Sequence, residues 1–414
     1  MSDTRKKPRI NFVKIIRKTL TTTLLCTALL SSGCAGDSKN QTADTSAVSA
    51  SESTVSASES ADSSQAENHA VTENASSDSQ NSQESDQSVS ENSNNETPDP
   101  KANESESSEL YAMDTVMSLT AYGSHAREAL DSASAEIQRL DKLFSISSET
   151  GDIYRVNRDG EGDLSEDTRS LLASALEYGK DTNGIFDCTI EPVMEAWGFT
   201  TKNYRIPSDS ELAELLSHVD ASTVTLSGNH VTLPEDVKLD LGGIAKGFTS
   251  ARVMEVFKNS GVTSGIISLG GNVQTLGTKP DEKLWRVGIQ DPNDLNAMFA
   301  VVEVSDEAVI TSGAYQRYFE ENGVHYHHII DPRTGYPAES GLTSVTIISP
   351  DGTLADALST SLFIMGPDDA SAFWQNHRDK FEAIMMTENG EVLVTSGLAD
   401  RCKVTNGGKV RVIS

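Results

Sequence analysis

Four short stretches of the chain combine residue types that could do chemistry. In Leu239-Asp240-Leu241-Gly242-Gly243-Ile244-Ala245-Lys246-Gly247, a strand-like run passes through paired glycines into a helix. Glycines let backbone N–H groups approach a phosphate, a helix N-terminus supplies positive potential, and Lys246 adds a charge. The string is neither a Walker loop nor a dinucleotide fingerprint, so alone it leaves phosphate binding and plain turn geometry both open. In Ala355-Asp356-Ala357-Leu358-Ser359-Thr360, Asp356 and Thr360 stand i and i+4. One helix face then carries a carboxylate and a hydroxyl within reach of a hard cation. Two side chains suffice for Mg²⁺, which keeps waters and borrows phosphate oxygens. By itself the pair favours a plainer reading, an acid opposing the helix dipole and a Thr packed in an interface.

The third stretch is Val324-His325-Tyr326-His327-His328-Ile329-Ile330-Asp331. Three histidines over four positions suggest zinc, but on a strand His325 and His327 share one face while Tyr326 and His328 share the other. One ion cannot take all three without a bend, and His328 is read instead as catalytic or substrate-contacting. The fourth, Asn183-Gly184-Ile185-Phe186-Asp187-Cys188, runs on to Trp197-Gly198-Phe199. A turn here offers an aromatic wall and a carboxylate to a planar ring, or else Phe186 and Trp197 are simply core.

Periodicity predicts the elements that position these groups. A strand is expected over 111–122, then a helix capped by Ser124 with apolar Ala126, Ala129, Leu130, Ala133, Ile137, Leu140 and Phe144 at helical spacing. Further helices are expected over 166–180, after a Ser208–Glu211 capping box, over 245–259 with Gly261 as its stop, over 354–365 closed by Gly366, and from Pro367. Strands are expected over 237–241, 265–269, 285–289, 299–304, 324–330 and 343–348. The pattern is that of one α+β domain with a mixed sheet and flanking helices.

The 414-residue chain carries a net charge of −29, very unevenly: +6 over residues 1–34, −13 over 35–108 and −22 over the rest. An acidic body argues against nucleic acid and against electrostatic docking on anionic lipid. Residues 1–33 read as an export signal: Arg5, Lys6, Lys7, Arg9, Lys14, Arg17 and Lys18, then an apolar run too short to span a bilayer. Leu30-Ser31-Ser32-Gly33-Cys34 resembles a bacterial lipobox with Ser31 where Leu is usual, making Cys34 the lipidated first residue; a plain secretory signal is the alternative. The expected location is therefore extracytoplasmic, lipid-anchored to the cell membrane. Residues 35–108 contain no aromatic residue, Leu, Ile or Met. They are read as a disordered tether reaching on the order of 50 Å, with the folded domain at 109–414. Of four cysteines, only Cys188 and Cys402 fall in that domain, and two separate thiols are preferred to a disulfide.

Taken in order, the motifs resemble the ApbE family, flavin transferases that attach FMN to proteins with FAD as donor. The similarity adds Leu269-Gly270-Gly271, Thr311-Ser312-Gly313 with Tyr315, and Thr334-Gly335 to the stretches above, and runs from about Leu110 to the C-terminus. Met113-Asp114-Thr115 departs from the family's Met-Gly-Thr, which leaves the tightness of that turn open, and Cys188 stands where Pro is frequent. The resemblance implies FAD contacts from Met113, Ser147, Ile185, Phe186, Asp187, Asp240, Lys246 and Ile330. It implies Mg²⁺ on the Gly243 carbonyl, Asp356 and Thr360, which reverses the plainer reading of Asp356. It further implies attack by a Ser or Thr hydroxyl of an acceptor protein on the FMN phosphorus, with AMP expelled and His328 taking the proton. Two other readings stand beside it: a Mg²⁺-dependent FAD pyrophosphatase and a non-enzymatic flavin-binding lipoprotein. Ser312-Gly313-Ala314 is similar to an acceptor pattern, yet Tyr315 replaces its Thr, so the chain is read as enzyme and not as its own substrate.

Overall fold

The computed structural model describes residue 99 and residues 101–414; the export signal, Cys34 and most of the tether lie outside the described residues. In chain order the first elements are β1 (Ser105–Ala112), β2 (Thr115–Tyr122), α1 (Ala126–Phe144), α2 (Asp152–Asp159), β3 (Glu161–Asp163), α3 (Glu166–Asp181), α4 (Glu191–Trp197) and α5 (Asp209–Leu215). Then come β4 (Thr225–Ser227), β5 (His230–Thr232), α6 (Ala245–Asn259), β6 (Gly265–Leu269), β7 (Asn272–Leu276), β8 (Trp285–Asp291), β9 (Asp294–Val304) and β10 (Ala308–Gly313). The chain ends with β11 (Tyr318–Glu321), β12 (Val324–His327), β13 (Leu342–Ser349), α7 (Gly352–Met365), α8 (Pro367–Gln375), β14 (Glu382–Thr387), β15 (Val392–Thr395), β16 (Cys402–Val404) and β17 (Val410–Ile413).

Nine strands form one mixed sheet in the order β1-β2-β6-β7-β10-β13-β14-β15-β17, with β15 and β17 parallel and every other neighbour antiparallel. Successive side chains on a strand point to opposite faces, and the central strands divide accordingly. Val309, Ile348 and Ile384 pack against Trp285, Val287, Phe299 and Val302 of the β8–β9 layer. Their neighbours Ile310, Ile347 and Met385 pack against Leu358 and Leu362 of α7 and Trp374 of α8. The α+β expectation therefore holds, with α7 as the central helix. Twelve of its 14 residues are buried, as befits a helix apolar nearly all round.

Helix α7 crosses α6 at two glycines. A Cβ on Gly247 would sit 2.1 Å from the Gly352 carbonyl oxygen and 2.6 Å from Asp356 Cβ. A Cβ on Gly352 would in turn meet the Gly247 carbonyl oxygen at 2.8 Å. The helices approach to backbone contact there because neither carries a side chain.

Several expected elements are confirmed and several corrected. α1 buries the seven apolar residues its period marks, and α6 runs over the residues expected, with Gly261 at φ 82° behind it. The strand expected over 111–122 is instead a hairpin: Met113 and Asp114, at φ 49° and 59°, form a two-residue turn between β1 and β2. Both residues adopt the left-handed geometry that matches hairpin twist, so Asp114 turns as tightly as glycine would. Ser124 does not cap α1. Its hydroxyl and amide bond Asp99, and the N-cap residue is His125 without a side-chain cap. The tether does not extend to residue 108, because Ser105–Ala112 is an edge strand. Its first three side chains are exposed, so polar composition costs nothing there while the backbone pairs with β2. Residues 237–241 are extended but form no strand; the Asn157 side chain supplies both hydrogen bonds to Leu239 that a neighbouring strand would have made, at 2.7 and 2.8 Å.

Replacing Gly247 with Ala should force α6 and α7 apart, at a cost of about 1–3 kcal/mol. Urea unfolding of the full chain checks this, and an unchanged midpoint would show that the helices do not touch at that point.

Candidate functional site

The ends of these elements enclose a cavity of about 520 Å³, within the range typical of small-molecule sites. Met113 reaches it from the β1–β2 turn, Ser147 from the loop after α1, and Ile185, Phe186 and Asp187 from the loop after α3. Asp240, Gly243 and Lys246 arrive with the start of α6, His328 and Ile330 from the segment after β12, and Asp356 and Thr360 from α7. All twelve residues singled out in the folded part of the sequence thus face one space.

Asp356 forms its base. The carboxylate is 4% exposed and accepts from the Gly247 N–H at 2.8 Å and from Asn272 Nδ2 at 2.9 Å. Lys246 Nζ stands 3.9 Å from Oδ1. A buried carboxylate on the first turn of α6 is favoured by the helix dipole and by these donors. Gly242 donates to Asp240 Oδ1 at 2.8 Å. Burial nevertheless pushes the Asp240 carboxyl upward, against the opposing pull of that bond and of Arg317 and Lys246.

The strand expected over 324–330 stops at His327, so His328 lies in the bend that follows and the three histidines separate. His325 is exposed and stacks on Tyr318, and His327 packs against Phe363. His328 alone of the three lines the cavity, its ring edge-on to Phe199. Its Nδ1 lies 3.1 Å from the Arg317 carbonyl, which also accepts the His328 backbone N–H at 3.0 Å. A carbonyl can only accept, so Nδ1 carries the hydrogen and Nε2 keeps a lone pair. Burial, then the Arg317 charge, pulls the ring down to about 3, so it is neutral at ordinary pH.

Phe186 serves both roles considered for it: it lines the cavity and belongs to the core beneath. Trp197 is core alone, fully buried with Nε1 donating to the Gly335 carbonyl at 2.7 Å. Asp187 faces the cavity while holding its own loop, accepting from Thr189 N at 2.8 Å and Ala221 N at 3.0 Å. Cys188 and Cys402 are unpaired, and burial raises the Cys188 thiol, which makes it inert.

Among the cavity residues that the sequence does not mark, Asn272 and Arg317 hold polar contacts at the site. Asn272 pairs with Leu269 across the Gly270-Gly271 turn, so the paired glycines were its available signal. Arg317 donates to the Phe199 carbonyl; nothing in its spacing marks it.

Oxygen donors suited to a hard cation meet in this cavity: the Asp356 carboxylate, the Thr360 hydroxyl and the Gly243 backbone. Among the described residues no three His, Cys, Asp or Glu side chains gather in a metal-binding group. An ion here would therefore need oxygens from water or ligand. Five aspartates line the cavity against Lys246 and Arg317, so an anionic ligand would need added positive charge.

The lowered His328 pKa predicts a pH effect on stability. The unfolded ring protonates near its ordinary 6.5 and the folded ring only near 3. Stability from the neutral ring is thus complete above the unfolded value and lost as pH falls from there toward 3. His328→Gln should therefore lose less of its thermal midpoint between pH 7 and pH 4.5 than the parent protein; equal losses would show that the ring is not held neutral.

The chain and its fold are similar to known proteins. The ApbE family pattern matches residues 113–385, a span holding every one of the twelve cavity residues. The FAD:protein FMN transferase of Treponema pallidum is 35% identical over 252 residues, covering 57% of this chain and 69% of the relative. That of Haemophilus influenzae is 34% identical over 244 residues, covering 56% and 70%. The solved ApbE protein of Thermotoga maritima superposes with a TM-score of 0.68 at 31% identity, over 71% of this chain and 98% of its own. The family pattern spans well over half of the chain and the fold is shared, and the chain belongs to the ApbE family.

Proposed function

We propose that this enzyme is an FAD:protein FMN transferase that moves FMN from FAD to a Ser or Thr hydroxyl of an acceptor protein, forming a phosphoester and releasing AMP. The observation that carries the reading is the convergence on one cavity of every residue the family resemblance implies, in a chain whose relatives bear that activity in their names.

Each group has work to do in such a reaction. Phe186, Ile185, Met113 and Ile330 give the isoalloxazine ring an apolar wall. The start of α6 and Lys246 meet the pyrophosphate with N–H groups and a charge. Mg²⁺ held by Asp356, Thr360 and the Gly243 carbonyl would neutralise charge developing on the phosphoryl oxygens. The donor set fits that ion: all are hard oxygens, and too few to satisfy it without substrate phosphate. His328 accepts the acceptor hydroxyl's proton at Nε2, the nitrogen its Arg317 contact leaves free. Its low pKa in the free protein rises once pyrophosphate brings negative charge beside it. We further assign the chain to the outer face of the cell membrane, anchored through lipid on Cys34, with the acidic tether giving the domain reach to membrane-bound acceptors.

Incubating the full chain with FAD, Mg²⁺ and a flavin-acceptor protein tests the reading. Flavin fluorescence should remain on the acceptor after denaturing electrophoresis, with one AMP released per label. Asp356→Ala should lower the rate at least about 100-fold, since even indirect supports of metal ligands cost 10–100-fold. Free FMN and AMP without labelled acceptor would instead identify a pyrophosphatase.

A further inference from the structure

Three hydroxyls running from the cavity wall into the core form a chain whose hydrogen-bond direction is forced from one end. Ser359 Oγ donates to the Asp356 backbone carbonyl at 2.9 Å. Ser312 Oγ lies 2.8 Å from Ser359 Oγ and 3.2 Å from Thr360 Oγ1. Each hydroxyl owns one hydrogen. The carbonyl can only accept, so the Ser359 hydrogen is committed to it. The bond between Ser359 and Ser312 must then use the hydrogen of Ser312. The bond between Ser312 and Thr360 must in turn use the hydrogen of Thr360.

The consequence falls on Thr360. With its hydrogen turned back to Ser312, Oγ1 shows the cavity only lone pairs. It cannot donate to a phosphate oxygen, and two acceptors facing each other repel. A cation between them satisfies both.

We infer that Ser312 is a positioning residue whose hydroxyl takes the Thr360 hydrogen and so converts Thr360 from a phosphate donor into a ligand for a hard divalent cation. The inference rests on the metal site proposed above and extends it to two residues outside the ligand set. Ser359 is fully buried and does not line the cavity, and its hydroxyl reaches Thr360 through Ser312. The relay also joins two parts of the fold, since Ser312 lies on β10 and both its partners on α7. The ligand hydroxyl is thereby fixed to the sheet as well as to its own helix.

The test is a titration of the full chain with Mn²⁺, free ion being read by electron paramagnetic resonance, with Mg²⁺ as competitor. Ser312→Ala should weaken Mn²⁺ binding by about 10–100-fold, the usual cost of losing a group that orients a metal ligand. Ser312→Thr keeps the hydroxyl and should restore binding to within severalfold. Ser359→Ala frees the Ser312 hydrogen to point at Thr360 and should weaken binding as well, though it removes nothing from the cavity. Native circular dichroism in each variant separates these effects from unfolding. Parent-like Mn²⁺ affinity in both alanine variants, with Asp356→Ala abolishing binding, would overturn the relay and leave the metal site standing. Parent-like affinity in Asp356→Ala would overturn the metal site and the relay with it.

Discussion

The structure turns on the place where Asp356 meets the first turn of α6. A carboxylate buried to 4% exposure is costly unless its oxygens are satisfied. Here the donors are the Gly247 N–H and the Asn272 amide. That contact exists only because Gly247 and Gly352 let the two helices touch backbone to backbone. Three separate stretches of sequence are held in register by it: the paired-glycine loop and its helix, the Gly270-Gly271 turn that delivers Asn272, and the central helix α7. The cavity lies on the far side of the same contact. One arrangement therefore stabilises the helix crossing and places Asp356 in the cavity wall.

Electrostatics shape the rest of the site. Beyond residue 108 the chain carries −22, and the cavity wall has more carboxylates than cations. The proposed dinucleotide is itself an anion, so binding it here requires positive charge the protein does not supply in excess. Lys246, Arg317 and the α6 N-terminus provide part. A cation on Asp356 would provide the remainder. The neutral state of His328 fits the same logic: burial, with Arg317 and Lys246 nearby, disfavours an imidazolium.

Much of this was legible in the sequence because local signals and tertiary demands agreed. The period of α1 names its buried face, Gly261 and Gly366 stop their helices, and the ordered motifs bring twelve residues to one cavity. The misreadings share a physical cause, a distant partner or unusual backbone that leaves no local trace. Met113 and Asp114 turn a hairpin without glycine, so two strands read as one. Leu239 is held by a side chain 82 residues away, so an extended segment reads as a strand. The serine-rich start of β1 reads as tether because an edge strand needs no apolar side chains on its open face. Arg317 stayed invisible because it acts on the Phe199 carbonyl, a group no motif encodes. The hydroxyl relay was beyond reach for the same reason, being a property of three atoms brought together by β10 and α7.

The central claim is that a divalent cation on Asp356 is required for binding the dinucleotide and not for the chemical step alone. Its most direct test is the dissociation constant of FAD for the full chain, measured by quenching of flavin fluorescence with Mg²⁺ present and after its removal with a chelator. The account predicts binding at least about tenfold tighter with Mg²⁺, equivalent to roughly 1.4 kcal/mol. An FAD affinity that is the same with and without the metal would contradict it.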